Sequence, residues 1–118
     1  MSAKRGGKVA RPTASSEWAI RAGNRAAGRA WAELSNGKMA NALARLYDVL
    51  TKDPRQLSSP GRHHQLKGDL ATADYGGRTL ERWQHEISGG GRVWFLIDDE
   101  EQTVWLVAVG EGHPTATD

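Results

Sequence analysis

The feature that most constrains this chain is a group of three strand-like stretches in its second half, separated by very short linkers. Each stretch is rich in Trp, Val, Ile, Leu or Phe, the residue types that favour β-strands. The stretches span residues 79–88, 92–98 and 102–110, and the linkers are residues 89–91 and 99–101. A parallel pair of strands needs a crossover of about a dozen residues or more. The linkers therefore predict three antiparallel neighbours, within a sheet that spans residues 64–113.

The side-chain pattern within these stretches predicts how each strand is placed. Residues 93–97 are apolar on both faces, which is typical of a central strand. Residues 80–86 mix charges into their alternation, which indicates one face open to solvent or to a site. Side chains two residues apart share a face of a sheet. The alternation groups Arg82 with Gln84 and Glu86 on one side, Glu81 with Trp83, His85 and Ile87 on the other, and Arg92 with Trp94 on the next strand.

The first half of the chain carries a helical period instead. A short extended piece at residues 17–20 precedes apolar positions at Ala27, Trp31 and Leu34, which predict a helix over residues 21–34. A stop signal at residues 35–37 is followed by the same spacing over residues 39–50, until Pro54 ends it. The predicted fold is α+β, in the order β-α-α-β-β-β, with an α-hairpin covering one face of an antiparallel sheet.

Length and composition limit the class of protein. The 118 residues fit one domain, predicted over residues 17–118, behind a disordered basic tail at residues 1–16. The chain has no cysteine, which excludes disulfides and thiolate metal sites and suits a reducing cytosol. No stretch resembles a signal peptide or a membrane span, so we expect a cytoplasmic protein. Residues 58–61 read as a loop and residues 63–70 as a short connector.

Charge is divided unevenly along the chain. Residues 1–67 hold 13 Lys and Arg against four acids, whereas residues 68–118 hold three Arg against ten acids. This division indicates either a basic face that meets nucleic acid or an acidic partner, or simply a solvated helix surface with a basic tail.

The charged side chains of the predicted sheet suit RNA cleavage by attack of a 2′-hydroxyl on the adjacent phosphate. This reaction needs a base, an acid and fixed cations beside the phosphoryl oxygens, but no metal or other cofactor. His85 or Glu86 is the candidate base, and His113 is the candidate acid. The remaining candidates are Arg92 with Arg82 or Lys67 as the electrostatic clamp, and Trp83 or Trp94 as the surface on which a splayed base stacks.

Each of these candidates also has a structural interpretation. Trp31, Trp94 and Trp105 lie in apolar surroundings typical of a core. Arg82 and Glu86 are spaced for an ion pair on one face, and Arg92 is placed to pair with an acid on the neighbouring strand. The adjacent side chains of His63 and His64 point apart in an extended segment, which argues against a metal pair. The three glycines at 89–91 precede no helix and indicate a turn rather than a phosphate loop.

Four stretches have a recognisable pattern: Leu66-Lys67-Gly68, Leu80-Glu81-Arg82-Trp83 leading to the hairpin before Arg92, the valine-rich stretch that ends at Gly110, and His113-Pro114 near the C-terminus. In these stretches the chain resembles the RelE/ParE superfamily of toxins. In that family a leucine-glycine element precedes a basic strand, and an arginine opens the next apolar strand. Arg92 matches the hairpin arginine, Lys67 matches the basic residue before the glycine, and His113 is close to a C-terminal histidine or tyrosine of several members.

The resemblance implies a ribosome-dependent mRNA endonuclease that a cognate antitoxin neutralises by wrapping around it in a toxin–antitoxin hetero-oligomer. The best-known relatives have a basic pair after the terminal Val-Gly, where this chain has Glu111-Gly112. Their lysine-bearing strand is replaced here by Arg82, Gln84, His85 and Glu86. The resemblance therefore leaves open a second interpretation, in which the chain poisons DNA gyrase like the ParE branch or is an inactive binding protein of the same fold.

Overall fold

The computed structural model describes residues 5–56, 61–87 and 90–111. Within these ranges the chain forms two α-helices, six β-strands and one turn of 3₁₀-helix at Gly68–Leu70. In chain order the elements are β1 (Ala19–Ala22), α1 (Arg25–Ser35), α2 (Ala40–Lys52), β2 (His63–Gln65), β3 (Thr72–Tyr75), β4 (Arg78–Ile87), β5 (Gly91–Asp98) and β6 (Thr103–Glu111). The predicted α+β class is confirmed.

All six strands form one mixed sheet. Its order is β1-β6-β5-β4-β2, and β3 also pairs with β4. The antiparallel pairing of β4, β5 and β6 is confirmed, as is the central position of β5. The first strand is an edge strand as expected, although it begins two residues later than predicted, and it runs parallel to β6.

The segment predicted as a plain connector contains regular structure. β2 pairs with β4 at residues 83–85, and β3 pairs with β4 at residues 78–81. Between them, the backbone amide of Leu66 donates to the carbonyl of Arg82, whose own amide donates to Ala71. The connector prediction was therefore wrong at β2, and β3, which follows the connector, was not predicted. Neither short strand has enough apolar alternation to be recognised without its partner.

The helices form an αα-hairpin on one face of the sheet, as predicted. Asn24 caps α1: its side-chain oxygen accepts from the amide of Ala27 at 2.8 Å, and its side-chain nitrogen donates to the carbonyl of Val107 at 3.0 Å. The cap thus joins α1 to β6. The core lies between the helices and the sheet, and its members with 2% exposure or less are Ala27, Leu43, Leu46, Leu50, Ile87, Val93, Phe95, Ile97 and Val104.

The other sheet face is partly covered by the tip of the β3–β4 hairpin. The ring of Tyr75 lies 5.0 Å from that of Trp105, and its hydroxyl donates to the carbonyl of Gly23 at 3.0 Å. Beneath this tip, Arg78 binds the carboxylate of Asp98, which is fully buried. Neither of the two described helices lies over the part of this face nearer the β4–β5 turn, and this part carries most of the charged candidate residues.

The segment before β1 contains neither helix nor strand from residue 5 onward. Its exposed Arg11 forms a salt bridge of 2.8 Å with Glu17. None of the helices in the described parts of the chain is long and apolar enough to span a membrane.

Candidate functional site

Five side chains define the surface that we call the arginine face. They lie at every second position of the neighbouring strands β4 and β5, on the side of the sheet away from the helices. Register places Gln84 directly opposite Trp94, and Glu86 directly opposite Arg92. The face therefore consists of Arg82, Gln84, Glu86, Arg92 and Trp94, as the alternation predicted.

The strongest electrostatic contact of this face joins Arg92 to Glu86. The Nη1 atom of Arg92 lies 3.1 Å from Oε2 of Glu86, and the side chains are 15% and 40% exposed, respectively. The predicted pairing of Arg92 with an acid on the neighbouring strand is confirmed. The pair places an exposed carboxylate beside a fixed guanidinium, an arrangement that suits a proton acceptor held next to a phosphate site.

The second contact covers Trp94. The guanidinium carbon of Arg82 lies 5.5 Å from the centre of the indole ring, within the range of a cation–π interaction. The indole nitrogen donates to Oε1 of Gln84 at 2.8 Å, and Trp94 is only 6% exposed. The use of Trp94 as a stacking surface is therefore corrected, and its interpretation as a buried aromatic is confirmed. The half-buried guanidinium of Arg82 lies over its ring instead.

Trp83 lies on the opposite face, among the core residues packed against the helices. Its indole nitrogen donates to Glu81 at 2.9 Å, and that carboxylate accepts from Arg55 at 3.1 Å. Burial at 7% exposure leaves no ring face for a nucleotide base. The prediction that Trp83 stacks a base is thus wrong, because the residue belongs to the core side of β4.

His85 also lies on the helix side, where it meets His63 rather than Arg92. The two Nδ1 atoms are 3.1 Å apart, and Nε2 of His63 lies 2.7 Å from the carbonyl oxygen of Pro54. His85 therefore does not lie beside Arg92, because residues 85 and 92 are on opposite faces of the sheet. Of the two candidate bases, only Glu86 lies beside Arg92.

Burial sets the protonation of this histidine pair. Desolvation, reinforced by the nearby charge of His63 and Arg62 and opposed by Glu86, lowers the pKa of His85 to about 4. Desolvation also lowers the pKa of His63. The hydrogen bond to Pro54 and the charge of Asp53 oppose this lowering, and the charge of His64 adds to it. Both imidazoles are thus neutral in the folded protein near pH 7.

These lowered pKa values predict a loss of stability on mild acidification. A histidine in the unfolded chain gains its proton near pH 6.5, whereas folded His85 resists it until about pH 4. Because the unfolded state then binds more protons, we expect the free energy of unfolding to fall by about 1–2 kcal/mol between pH 7 and pH 5. Urea unfolding near pH 7 and near pH 5 measures the fall, which should be shallower in His85→Phe. An equal fall in both proteins would contradict the assignment.

The remaining candidates are placed as follows. Lys67 is exposed and follows Leu66, whose backbone amide is bonded to Arg82, so it borders the arginine face. His113 lies outside the described residues. His64 points away from His63, as predicted, and is opposite Gln84. In the described ranges no group of three or more acidic or histidine side chains is arranged to hold a metal ion.

Sequence reasoning missed the contact between His63 and His85. Alternation gave the face of His85, but it did not reveal that residues 63–65 form a strand with His63 directly opposite. A scan of known protein families and a search of curated proteins find no match to this chain, so the site has to be judged on its own geometry.

Proposed function

We propose that this chain is the toxin of a toxin–antitoxin pair, a RelE-like endonuclease that cleaves mRNA on the ribosome. The observation that carries the proposal is the adjacency of Glu86 and Arg92 on the arginine face. The α+β topology and the sequence resemblance stated above support the same family.

In this proposal Glu86 is the base. Its carboxylate accepts the proton of a ribose 2′-hydroxyl, and the 2′-oxygen attacks the adjacent phosphorus as the bond to the 5′-oxygen breaks. Arg92 stabilises the negative charge that develops on the phosphoryl oxygens. His113 supplies the proton that the leaving 5′-oxygen requires. The products are a 2′,3′-cyclic phosphate and a free 5′-hydroxyl, and no metal takes part.

In this proposal the substrate is bound by cations near this pair and by others on the helices. Arg82 presents a flat guanidinium above Trp94, and such a plane both stacks bases and contacts phosphates. Exposed Lys67 extends the positive charge along the border of the face. Further exposed cations on the helices provide attraction for ribosomal RNA; these are Arg25 and Arg29 on α1, and Arg45 and Lys52 on α2. The cognate antitoxin would inhibit by covering these surfaces.

Replacing Glu86 with glutamine tests the proposed base. The change keeps the shape of a 40% exposed side chain but removes its capacity to accept a proton. We expect mRNA cleavage in a reconstituted translation system to slow by about 10²- to 10⁴-fold. Glu33→Gln, a matched change at an exposed position of α1, should leave the rate unaltered. Full activity of Glu86→Gln would rule out the carboxylate as the base.

Assays of the wild-type protein distinguish this proposal from the alternative, a gyrase poison or an inactive binding protein. A gyrase poison would inhibit DNA supercoiling and leave mRNA intact, whereas the proposed endonuclease would cut mRNA and leave supercoiling unchanged. An inactive binding protein would do neither. Inducing the chain without its antitoxin should slow growth only in the first two cases.

A further inference from the structure

The histidine pair has a single hydrogen-bonding arrangement when both rings are neutral. The carbonyl oxygen of Pro54 only accepts hydrogen bonds, so Nε2 of His63 must carry the proton that it donates at 2.7 Å. Nδ1 of His63 is then an unprotonated acceptor. The 3.1 Å contact requires Nδ1 of His85 to be the donor. Nε2 of His85 is consequently left without a proton.

Among the ring nitrogens of His63 and His85, Nε2 of His85 is the acceptor that these two hydrogen bonds leave open. It has no hydrogen-bond partner among the residues that the structure describes. His63 is 2% exposed, whereas His85 is only partly buried, so the exposed part of the pair belongs to His85. The next cation along the chain is the exposed Arg62, whose carbonyl accepts from the amide of Glu86 at 2.6 Å. Nε2 of His85 is thus an open acceptor, and the charge of Arg62 acts on the same ring.

We propose that His63 is a positioning residue that presents Nε2 of His85 as an acceptor for a ribose 2′-hydroxyl, with Arg62 contacting the adjoining phosphate. The chemistry that this site selects is a donor hydroxyl next to a phosphodiester, which RNA has and DNA lacks. The inference rests on the proposed function only in taking RNA as the ligand. It adds a second contact region, on the opposite side of β4 from the arginine face, that selects RNA over DNA without cleaving it.

The tautomer is tested without any RNA or activity. In ¹⁵N-detected long-range NMR spectra near pH 7, His85 should show a protonated Nδ1 and an unprotonated Nε2. In His63→Phe, which keeps a flat ring but removes both hydrogen bonds, His85 should become a mixture of tautomers. His64→Phe alters the neighbouring histidine on the other face and should leave His85 unchanged. A protonated Nε2 in the wild type, or an unaltered tautomer in His63→Phe, overturns the positioning role.

Ligand selection is tested with two single-stranded oligonucleotides of the same sequence, one of RNA and one of DNA. We expect the wild type to bind the RNA more tightly by roughly three- to tenfold, the value of one hydrogen bond. His85→Phe and His63→Phe should lower this ratio, and His64→Phe should retain it. Equal ratios in all four proteins overturn the inference. If the wild type prefers RNA, loses part of this preference in His85→Phe, and yet never cleaves mRNA, the result would support the inference and refute the proposed endonuclease.

Discussion

Arg78→Met should destabilise the protein more than any other single change of charge in the described structure. Arg78 makes two hydrogen bonds to Asp98, one of them at 2.7 Å, and that carboxylate is 0% exposed. Methionine keeps the aliphatic length but leaves the buried charge without its cation. Breaking a buried pair in this way costs about 3–5 kcal/mol. Chemical unfolding of the variant and the wild type near pH 7 measures the difference.

The control is the same substitution at Arg55. Its partners Glu81 and Asp99 are 39% and 65% exposed, so water can solvate them when the guanidinium is removed. We expect Arg55→Met to cost about 1 kcal/mol or less. A loss of equal size at both positions would show that burial of Asp98 does not determine the effect.

The pH dependence of this variant has a definite sign. Arg78 is the main cause that lowers the pKa of Asp98 to about 2, aided by the amide of Glu101 and the indole of Trp105. The stabilisation is therefore present above the ordinary value of 3.8 and is lost as the pH falls towards 2. The difference between Arg78→Met and wild type should shrink over this range. A difference that stays constant down to pH 2 would contradict the ion-pair explanation.

Arg92→Ala should cause a large loss of activity. In the proposed reaction the guanidinium stabilises charge that develops on the phosphoryl oxygens, and removing one such group typically slows catalysis by about 10²- to 10³-fold. It also orients Glu86, whose Oε2 atom lies 3.1 Å away. The single-turnover rate of mRNA cleavage on ribosomes, at saturating protein, measures the effect without the contribution of weaker binding.

Two further variants separate charge from folding. Arg92→Lys keeps the positive charge but loses the planar fork, and its rate should lie between those of wild type and Arg92→Ala. Lys38→Ala removes an exposed cation from the turn between the helices and should cleave at the wild-type rate. Melting temperatures of all three variants verify that the fold is retained. Wild-type cleavage by a folded Arg92→Ala would remove Arg92 from the reaction.

Much of the sheet was predictable because its strands are local in sequence. The linkers around residues 89–91 and 99–101 leave only hairpins, and strict alternation assigns the faces of Arg82 and Glu86. The helices followed from a 3.6-residue period. The candidate pair of Glu86 and Arg92 was likewise within reach, since the turn between β4 and β5 places them opposite each other.

What could not be predicted depends on contacts between residues far apart in the chain. The approach of His63 to His85 joins positions 22 residues apart, and the cover provided by Tyr75 joins β3 to Gly23, 52 residues away. Trp83 and Trp94 were both candidate stacking residues, yet one is buried against the helices and the other is buried under Arg82. Alternation assigns a face, but it does not show what packs upon that face.

The chemical ends of the cleaved RNA test the central claim most directly. Wild-type protein is incubated with translating ribosomes, and the fragments are analysed for their terminal groups. Attack by a 2′-hydroxyl with Glu86 as base predicts a 2′,3′-cyclic phosphate on one fragment and a 5′-hydroxyl on the other, and Glu86→Gln should reduce both together. Fragments that end in a 3′-hydroxyl and a 5′-phosphate, or mRNA that stays intact, would contradict the account.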